Sequence, residues 1–250
     1  MAVIPVSVAM VTKNEARNVA RALDSVHGFA EIVVIDSFSE DNTVAICREH
    51  TDKIFQQEWK GFARQKQDAI DRCSQKWVLL LDADECVTAE LREEISAFVS
   101  QSAFVAYELP RKNFFLGKWI RHSGWAPDYV IRLFRKDVGV IEPREVHEKI
   151  VVKGAVGRCA GYLEHYTYHT LSDYIRKMDL YSTLSAKEMI HSGKRTSLLS
   201  VFFSPLFVFF KMLILKQGFR DGRHGLLLAV LYAMQSFLKY TKAREMQGSL

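Results

Sequence analysis

A run of five apolar residues followed by carboxylates constrains the fold of this chain more than any other feature. Residues 77–81 read Trp-Val-Leu-Leu-Leu, and Asp82, Ala83, Asp84 and Glu85 follow directly. An unbroken apolar run of this length is typical of a strand buried on both faces of a parallel sheet. Ligands of open α/β sheets bind at the carboxyl ends of such strands. The run therefore predicts a buried strand that ends at a ligand site, with a solvated acidic turn as the ordinary alternative.

The chemistry of the acidic run indicates a cation. Crowded carboxylates repel one another and lose hydration unless positive charge compensates them. Hard divalent cations such as Mg²⁺ and Mn²⁺ do this, and they commonly bridge a carboxylate to a substrate phosphate. The sequence contains neither GxGxxG nor GxxxxGK[ST], which disfavours a Rossmann dehydrogenase and a P-loop NTPase.

Strands and helices alternate through the first hundred residues. This rhythm predicts an α/β fold with a doubly wound, mainly parallel sheet. After about residue 104 the alternation ends, and aromatic-rich loops separate the strands. The predicted strands are 6–11, 31–35, 53–56, 77–81, 105–109, 129–134 and 148–152; the predicted helices are 19–26, 42–50 (capped by Asn42), 61–73, 88–100 (capped by Thr88) and 172–191.

The last sixty residues differ in charge and in polarity. Residues 194–250 carry nine Lys and Arg against two carboxylates, a net charge of +7, while the rest of the chain has a net charge of −2. The apolar stretch 201–215 is interrupted by Pro205 and Lys211, and it falls short of the ~20 residues of a membrane span. A basic apolar segment of this kind is typical of a helix that lies in the membrane interface. The alternative is an ordinary buried pair formed with the apolar stretch 226–238.

The composition also bears on compartment and partners. Four scattered cysteines without CxxC spacing predict free thiols in a reducing cytosol. The first eleven residues lack a basic n-region, so we expect no cleavable signal peptide. Nucleic acid is a disfavoured partner because the basic residues of the tail interleave with apolar helix. The cysteines are Cys47, Cys73, Cys86 and Cys159.

Polar residues also follow the first two predicted strands. Thr12, Asn14 and Glu15 follow the first strand, and Asp36 follows the second. Because the carboxyl ends of parallel strands share one sheet edge, we expect these residues to meet the acidic run 82–85. An acidic residue in the position of Asp36 accepts hydrogen bonds from a base or ribose in dinucleotide sites.

In this order and spacing, the motifs resemble family 2 glycosyltransferases of the GT-A fold. The motifs are Thr12-Lys13-Asn14-Glu15, residues 32–37 with Asp41 and Thr43, and Asp82-Ala83-Asp84. Residues 61–66, 124–128, 132–134 and 146–148 are similar to those of bacterial lipopolysaccharide core glycosyltransferases, especially the heptose β-1,4-glucosyltransferase type. The resemblance covers nearly the whole chain. One departure is that many relatives read Asp-Asp-Gly-Ser where residues 36–39 read Asp-Ser-Phe-Ser.

The resemblance implies a nucleotide-sugar pocket at the sheet edge. Thr12, Asn14 and Glu15 would line the pocket, and Asp36 would contact the uracil or the ribose. The rest of the donor site would comprise Lys66, Asp82, Ala83 and Asp84.

The resemblance also implies a bound Mg²⁺ or Mn²⁺. Asp84 would ligate it on the donor diphosphate, and Asp82 would face the ribose and the metal. His165 is a weaker metal ligand candidate, and a histidine merely packed on aromatic rings is the ordinary alternative. Lys66 would neutralise charge on the nucleotide side. Glu85 is expected to begin the loop that follows the acidic run.

The acceptor side is assigned less firmly by sequence. Inverting transfer needs a base for the acceptor hydroxyl, and we expect Glu148 in this role with Asp128 in reserve. A strand-edge carboxylate paired with Lys149 or Arg144 is the alternative for Glu148. Candidates for contacts to the acceptor or the diphosphate are Arg111, Trp125, Arg132 and His147; Trp125 could equally fill the core.

The sequence and the resemblance together predict a metal-dependent hexosyltransferase. We expect it to transfer a hexose, with glucose favoured, from a UDP-sugar to the inner-core heptose of a lipid A-linked acceptor at the inner face of the cytoplasmic membrane. Alternatives are a family 2 enzyme with another cell-envelope acceptor, a nucleotidyltransferase, and a non-catalytic membrane-binding protein. The expected divisions are a glycosyltransferase domain at 1–192, with a nucleotide-sugar half at 1–103 and an acceptor half at 104–192, and a membrane-association region at 193–250.

Overall fold

The computed structural model describes residues 3–101, 103–142, 149–194 and 196–248. The chain forms two compact units. Unit 1 comprises Met1–Lys112 and Asp128–Tyr166, and unit 2 comprises Asn113–Pro127 and Thr167–Leu250. This division differs from the expected boundaries at 103 and 192, because residues 113–127 contribute Phe115 and Ile120 to the core of the C-terminal helices.

The first part of the chain alternates strands and helices as predicted. These elements are β1 (Ile4–Thr12), α1 (Val19–Ser25), β2 (Phe29–Asp36), α2 (Thr43–Arg48), β3 (Ile54–Gln56), α3 (Phe62–Arg72), β4 (Trp77–Asp82), β5 (Glu85–Val87) and α4 (Ala89–Gln101).

Strands dominate the middle of the chain, and helices dominate its end. The strands are β6 (Ala106–Phe115), β7 (Lys118–Trp119), β8 (Tyr129–Arg135), β9 (Gly139–Glu142), β10 (Lys149–Val152), β11 (Val156–Arg158) and β12 (Leu163–Tyr168). The helices are α5 (Leu171–His191), α6 (Leu198–Phe210) and α7 (Arg223–Met246), with a π-helical turn at Lys211–Leu215 and a 3₁₀ turn at Gly218–Asp221.

The main sheet has a parallel half and an antiparallel half. Its strand order is β3-β2-β1-β4-β8-β6-β12-β5. The first four strands are parallel, which confirms the predicted doubly wound, parallel-dominated arrangement. Strand β8 is antiparallel to β4, and β6 is antiparallel to β8. Strands β9 and β10 form a separate two-stranded ladder.

The register of the parallel strands sets the position of the site. Thr12 on β1 pairs with Asp36 on β2, and Val11 pairs with Asp82 on β4. Three polar residues from distant parts of the sequence therefore reach the same sheet edge, as their positions after apolar strands predict.

Helices cover both faces of the parallel strands. Met10, Leu79 and Leu81 belong to one buried cluster, while Ala9 and Leu80 belong to the other. Burial on both faces explains why these strands are apolar without alternation.

Two local predictions need correction. Asn42 precedes α2 but makes no side-chain cap hydrogen bond; instead, the Thr43 N–H donates to Asp41 Oδ1 at 3.0 Å. Glu85, predicted to begin a loop, begins strand β5, which pairs with β12. The predicted cap of α4 is present, since the Leu91 N–H donates to Thr88 Oγ1 at 3.3 Å.

Unit 2 has its own core between α5 and α7. Phe115 lies against Tyr174, with ring centroids 5.6 Å apart, and Met178 and Leu228 join the same cluster. The α6 helix continues through Pro205 rather than stopping there. By length and composition alone, Leu198–Leu215 could cross a membrane, and only 11% of this segment is buried.

Candidate active site

Asp36 joins the ends of the first three strands. Its carboxylate accepts hydrogen bonds from Thr12 Oγ1 at 3.0 Å, from the Ser39 N–H at 2.8 Å and from Gln56 Nε2 at 3.3 Å. The Ser39 hydroxyl donates a further bond. The side chain of Asp36 is fully buried, and a carboxylate has about four acceptor positions. The predicted contact with uracil or ribose stays a prediction, and it would require a ligand to share or displace one of these donors.

Asn14 and Glu15 connect the loop after β1 to the loop after β2. The Asn14 N–H donates to Ser39 Oγ at 2.8 Å, and Asn14 Oδ1 accepts from the Glu40 N–H at 2.9 Å. The Glu15 N–H donates to Thr43 Oγ1 at 2.8 Å. Both residues thus lie at the predicted edge, and their backbones hold the two loops together.

Phe38 occupies an unusual position in this loop. Its φ is +53°, in the left-handed region, and 53% of its surface is exposed. A side chain with a Cβ costs about 1–2 kcal/mol in this conformation, and such strain clusters at functional sites. The family resemblance implies a glycine at this position in many relatives, and glycine adopts such a φ without strain.

Asp82 is held between two cations. Lys66 Nζ on α3 lies 2.8 Å from Asp82 Oδ1, and Arg132 on β8 bonds to Asp82 Oδ2. Lys66 and Arg132 are both buried. Sequence reasoning placed Lys66 and Asp82 in the same donor site, and the structure brings them into contact.

The cations control the ionisation of this carboxylate. Burial by itself raises the pKa of Asp82, but Arg132 and Lys66 outweigh burial and hold that pKa well below its usual range. Burial lowers the pKa of Arg132, while Asp82 and Glu85 outweigh it and raise that pKa above its usual value. The group is therefore an ionised cluster at neutral pH.

Glu85 belongs to the site, although no role was predicted for it from the sequence. It is fully buried and accepts from Arg132 at 2.9 Å and from Arg111 Nη1 at 3.3 Å. Its second oxygen accepts from the Asp82 N–H at 3.2 Å. The signal available in the sequence was its position before the apolar pair Cys86-Val87, which is typical of a strand rather than of a loop.

Arg111 links this cluster to Asp128. Arg111 Nε and Nη2 each lie 2.9 Å from Asp128 Oδ2. This pairing leaves Asp128 near the site but engaged by a guanidinium, so its reserve role as a base stays a prediction.

Gln65 supports the site end of α3. It is fully buried, and its Nε2 donates to Ser37 Oγ at 2.7 Å. This bond connects the turn after β2 to the residue that precedes Lys66. Sequence reasoning did not single out Gln65.

Asp84 and His165 form the pair best placed for a metal. His165 Nε2 lies 3.5 Å from Asp84 Oδ2, and both side chains are about 15% exposed. The Tyr166 N–H donates to the Asp84 carbonyl at 2.9 Å, and pairing of β5 with β12 sets the spacing. Among the described residues, no group of three His, Cys, Asp or Glu side chains forms a metal site.

A carboxylate and an imidazole still fit Mg²⁺ or Mn²⁺. These ions are commonly held by one or two protein ligands together with substrate phosphates and water. Asp82 is less suited to this role, because each of its oxygens contacts a cation. The metal predictions for Asp82, Asp84 and His165 stay predictions.

Three acceptor-side predictions stay predictions. Glu148 and His147 lie outside the described residues. Trp125 belongs to unit 2, where its Nε1 donates to the Tyr232 hydroxyl at 3.0 Å and its ring lies 5.9 Å from that of Phe115. Its packing agrees with the core role left open by sequence, and sugar stacking stays a prediction.

The comparisons with known proteins agree with this arrangement. The model of the family described as "Glycosyl transferase family 2" matches residues 7–171. The chain belongs to glycosyltransferase family 2. This glycosyltransferase is 31% identical over 252 residues to the lipopolysaccharide core biosynthesis glycosyltransferase LpsC of Rhizobium meliloti (strain 1021), covering 96% of the chain and 92% of the relative. An uncharacterized glycosyltransferase of Rickettsia typhi is 28% identical, covering 96% of the chain and 87% of the relative.

Solved structures confirm the GT-A-like fold of this glycosyltransferase. The S. aureus protein TarS (residues 1–349) in complex with UDP-GlcNAc matches with a TM-score of 0.51 at 15% identity, covering 99% of this chain and 92% of the other. The same protein in complex with UDP matches with a TM-score of 0.50 at 15% identity, with the same coverage of both chains.

Proposed function

We propose that this family 2 glycosyltransferase transfers a hexose, with glucose as the expected sugar, from a UDP-sugar to the inner-core heptose of a lipid A-linked acceptor. The observation that carries the donor proposal is the convergence at one sheet edge of Asp36, the Lys66–Asp82–Arg132 cluster and the Asp84–His165 pair. The acceptor proposal rests on the relationship to a protein named for lipopolysaccharide core biosynthesis.

The charge balance of the site supports a nucleoside diphosphate donor. Lys66, Arg111 and Arg132 are matched by three carboxylates of the chain. A diphosphate therefore needs further positive charge, and the Asp84–His165 pair could hold the divalent ion that supplies it. When bound, Mg²⁺ or Mn²⁺ stabilises the charge that develops on the departing diphosphate. UDP and UDP-GlcNAc occupy the TarS complexes, in agreement with a uridine nucleotide.

The chain's own residues would orient the donor and the acceptor. The loops fixed by Asp36 would receive the nucleoside, and Glu148 would accept the proton of the attacking hydroxyl, with Asp128 in reserve. Inversion at the anomeric carbon is proposed from the family resemblance.

The exposed apolar helix α6 supports a membrane location for the acceptor. Its large side chains are exposed, and the tail of the chain is basic. The proposed setting is the inner face of the cytoplasmic membrane, where anionic lipids attract basic segments.

The test is turnover of UDP-glucose, UDP-galactose and UDP-GlcNAc with a lipid A-core acceptor in the presence of Mn²⁺. Asp84→Asn should lower kcat/KM by about 100-fold, a loss of about 2.7 kcal/mol of transition-state stabilisation. Asp71→Asn is the matched control, because the Asp71 side chain is exposed on α3 and accepts from Gln67 Nε2 of the same helix at 2.8 Å. The Asp71 carbonyl, which accepts from Lys136 Nζ at 3.0 Å, is unchanged by this substitution. Full activity of the Asp84 variant would refute the assigned role. Transfer to other envelope acceptors but not to core heptose would refute the acceptor.

A further inference from the structure

The helix α6 and the turns after it present an unusually apolar surface. Ten large hydrophobic side chains between residues 198 and 219 are each more than half exposed. We name this surface the apolar ridge. Contiguous exposed patches of this kind mark interaction surfaces rather than ordinary protein surface. Its members are Leu198, Leu199, Phe202, Phe203, Leu206, Phe207, Phe210, Ile214, Leu215 and Phe219.

A groove opens beside the ridge, between α6 and α7. Its volume is about 480 Å³, within the range of small-molecule sites, about 300–1,000 Å³. Its walls are entirely apolar side chains, including Leu206 and Phe209 from α6 and Val230, Met234 and Phe237 from α7. The side chains of these walls offer a ligand no hydrogen-bonding partner. The groove therefore suits a hydrocarbon chain.

The charges next to the ridge are all of one sign. Residues 198–220 contain Lys211, Lys216 and Arg220 and no carboxylate. All three cations are exposed. Asp221, which follows them, is buried and accepts from the Arg121 N–H at 3.1 Å, so it does not neutralise them at the surface.

We propose that α6 and α7 form a phospholipid site: the groove takes one acyl chain of an anionic phospholipid of the bilayer, and Lys211, Lys216 and Arg220 contact its headgroup. This inference deepens the proposed membrane location and rests on it. The ridge then lies in the interface, with its side chains among the acyl chains.

The charges beside the apolar ridge favour a lipid over a second copy of the chain. A symmetric contact between two ridges would bring both copies of these cations to one apolar interface, and residues 198–220 contain no carboxylate that could compensate them there. Uncompensated like charges at an interface are unfavourable. An anionic bilayer surface compensates the cations and covers the apolar side chains at the same time.

The matched variants are Val230→Phe and Val208→Phe. Val230 lines the groove, and Val208 lies on α6 but does not line it. Both changes add the same volume and keep the surface apolar. Native mass spectrometry after incubation with phosphatidylglycerol should show one bound lipid on the wild type and on Val208→Phe. The lipid-bound fraction of Val230→Phe should be at least about ten-fold lower, with an unchanged thermal melt.

Sedimentation with vesicles tests the headgroup contact. The wild type should bind phosphatidylcholine vesicles that contain phosphatidylglycerol more tightly than pure phosphatidylcholine vesicles. Lys211→Gln and Lys216→Gln should each weaken the binding to the mixed vesicles by about five-fold, the equivalent of about 1 kcal/mol per cation. Binding to pure phosphatidylcholine should not change.

Three outcomes would overturn the lipid site. They are equal lipid retention by the two valine variants, equal binding to both vesicle types, and a lipid-independent dimer in ultracentrifugation that Val230→Phe disrupts. UDP-sugar turnover by the wild type in solution separates this inference from the proposed function. Lipid binding without turnover would refute the function alone, and turnover without lipid binding would refute the lipid site alone.

Discussion

Lys66 and Asp82 form an ion pair of 2.8 Å between helix α3 and the end of strand β4, in which the Lys66 side chain is buried and the Asp82 side chain is 27% exposed. Arg132 bonds the other oxygen of Asp82. The carboxylate that the sequence associates with a metal is thus already compensated by two protein cations. Within the acidic run, this leaves Asp84, which lies 3.5 Å from His165, better suited to an external cation.

The two cations around Asp82 should differ in their effect on stability. Arg132→Met removes the partner of both Asp82 and the fully buried Glu85, so we expect a loss of about 3–5 kcal/mol in the free energy of unfolding. Lys66→Met leaves Asp82 bonded to Arg132, and the expected loss is about 1–3 kcal/mol. Urea denaturation at neutral pH measures both values.

A matched control lies on the same strand as Arg132. Arg135 pairs with Asp137 at 2.5 Å at the protein surface, where an ion pair contributes about 0–1 kcal/mol. Arg135→Met should therefore change stability very little. The opposite ranking, with Arg135→Met more damaging than Arg132→Met, would contradict the burial argument.

Glu31 should make stability depend on pH. Burial raises its pKa, but the Lys53 ammonium, the Ser7 hydroxyl and the Ser74 N–H outweigh burial and lower the pKa to about 2 from 4.5. A lowered folded-state pKa stabilises the fold above the unfolded value, and the contribution is lost as the pH falls from about 4.5 through about 2. At about 1.4 kcal/mol per pKa unit, ionised Glu31 contributes about 3 kcal/mol to the free energy of unfolding.

The variant Glu31→Gln isolates this contribution. It removes the titrating group and keeps the shape of the side chain, so its unfolding free energy should fall less than that of the wild type between about pH 6 and pH 3. Urea titrations at several pH values provide the comparison. Parallel curves for the two proteins would show that Glu31 does not carry the effect.

His165 should affect metal affinity more than nucleotide affinity. If His165 and Asp84 hold Mn²⁺ together, His165→Asn should raise the Mn²⁺ concentration needed for half-maximal activity by about 10–100-fold, the usual range for losing one contributor to a metal site. The KM for the donor at saturating Mn²⁺ should change much less. His191→Asn is the control, since His191 is exposed on α5 and its Nδ1 lies 2.9 Å from the Lys187 carbonyl oxygen of the same helix. An unchanged Mn²⁺ requirement in His165→Asn would remove His165 from the metal site.

Phe38→Gly should stabilise the fold. Phe38 has a φ of +53°, and glycine adopts this conformation without the cost of about 1–2 kcal/mol that a Cβ brings. Glycine also raises the conformational entropy of the unfolded chain, and this offsets about 0.5–1 kcal/mol of the stability gained by relieving the strain. We expect a small rise in Tm by calorimetry. A fall in Tm would show that contacts of the ring outweigh the backbone strain.

The sequence predicts the parallel half of the sheet because its signals there are local. An apolar run followed by a polar residue identifies each strand and its carboxyl end, so Thr12, Asp36 and Asp82 could be placed on one edge before their register was known. Lys66 was assigned to the donor site by the family resemblance, and the structure places it 2.8 Å from Asp82 at this edge. Its role toward the nucleotide stays a prediction.

The antiparallel half carries interactions that have no local signal. Arg132 reaches Asp82 and Glu85 only because β8 pairs with β4 in the opposite direction, and the sequence pattern does not determine that pairing. Likewise, Asp221 bonds the Arg121 and His122 N–H groups about one hundred residues earlier in the chain. A domain boundary drawn from composition at residue 192 places the two ends of such a contact in different domains.

Gly225→Ala tests the packing at the start of α7. In a helix, this change normally stabilises by about 1 kcal/mol, because alanine has the higher helix propensity. Here, a Cβ at Gly225 would lie 1.8 Å from the carbonyl oxygen of Gly218 and 3.1 Å from the Asp221 side chain. Backbone must move to relieve that overlap, and Asp221 is fixed by Ser123 Oγ at 2.9 Å. We therefore expect Gly225→Ala to destabilise the fold. The free energy of unfolding should fall by about 1–3 kcal/mol, as it does at overpacked sites. Chemical denaturation followed by tryptophan fluorescence measures this free energy. A more stable Gly225→Ala variant would show that the backbone of the 3₁₀ turn before α7 moves more easily than its hydrogen bonds indicate.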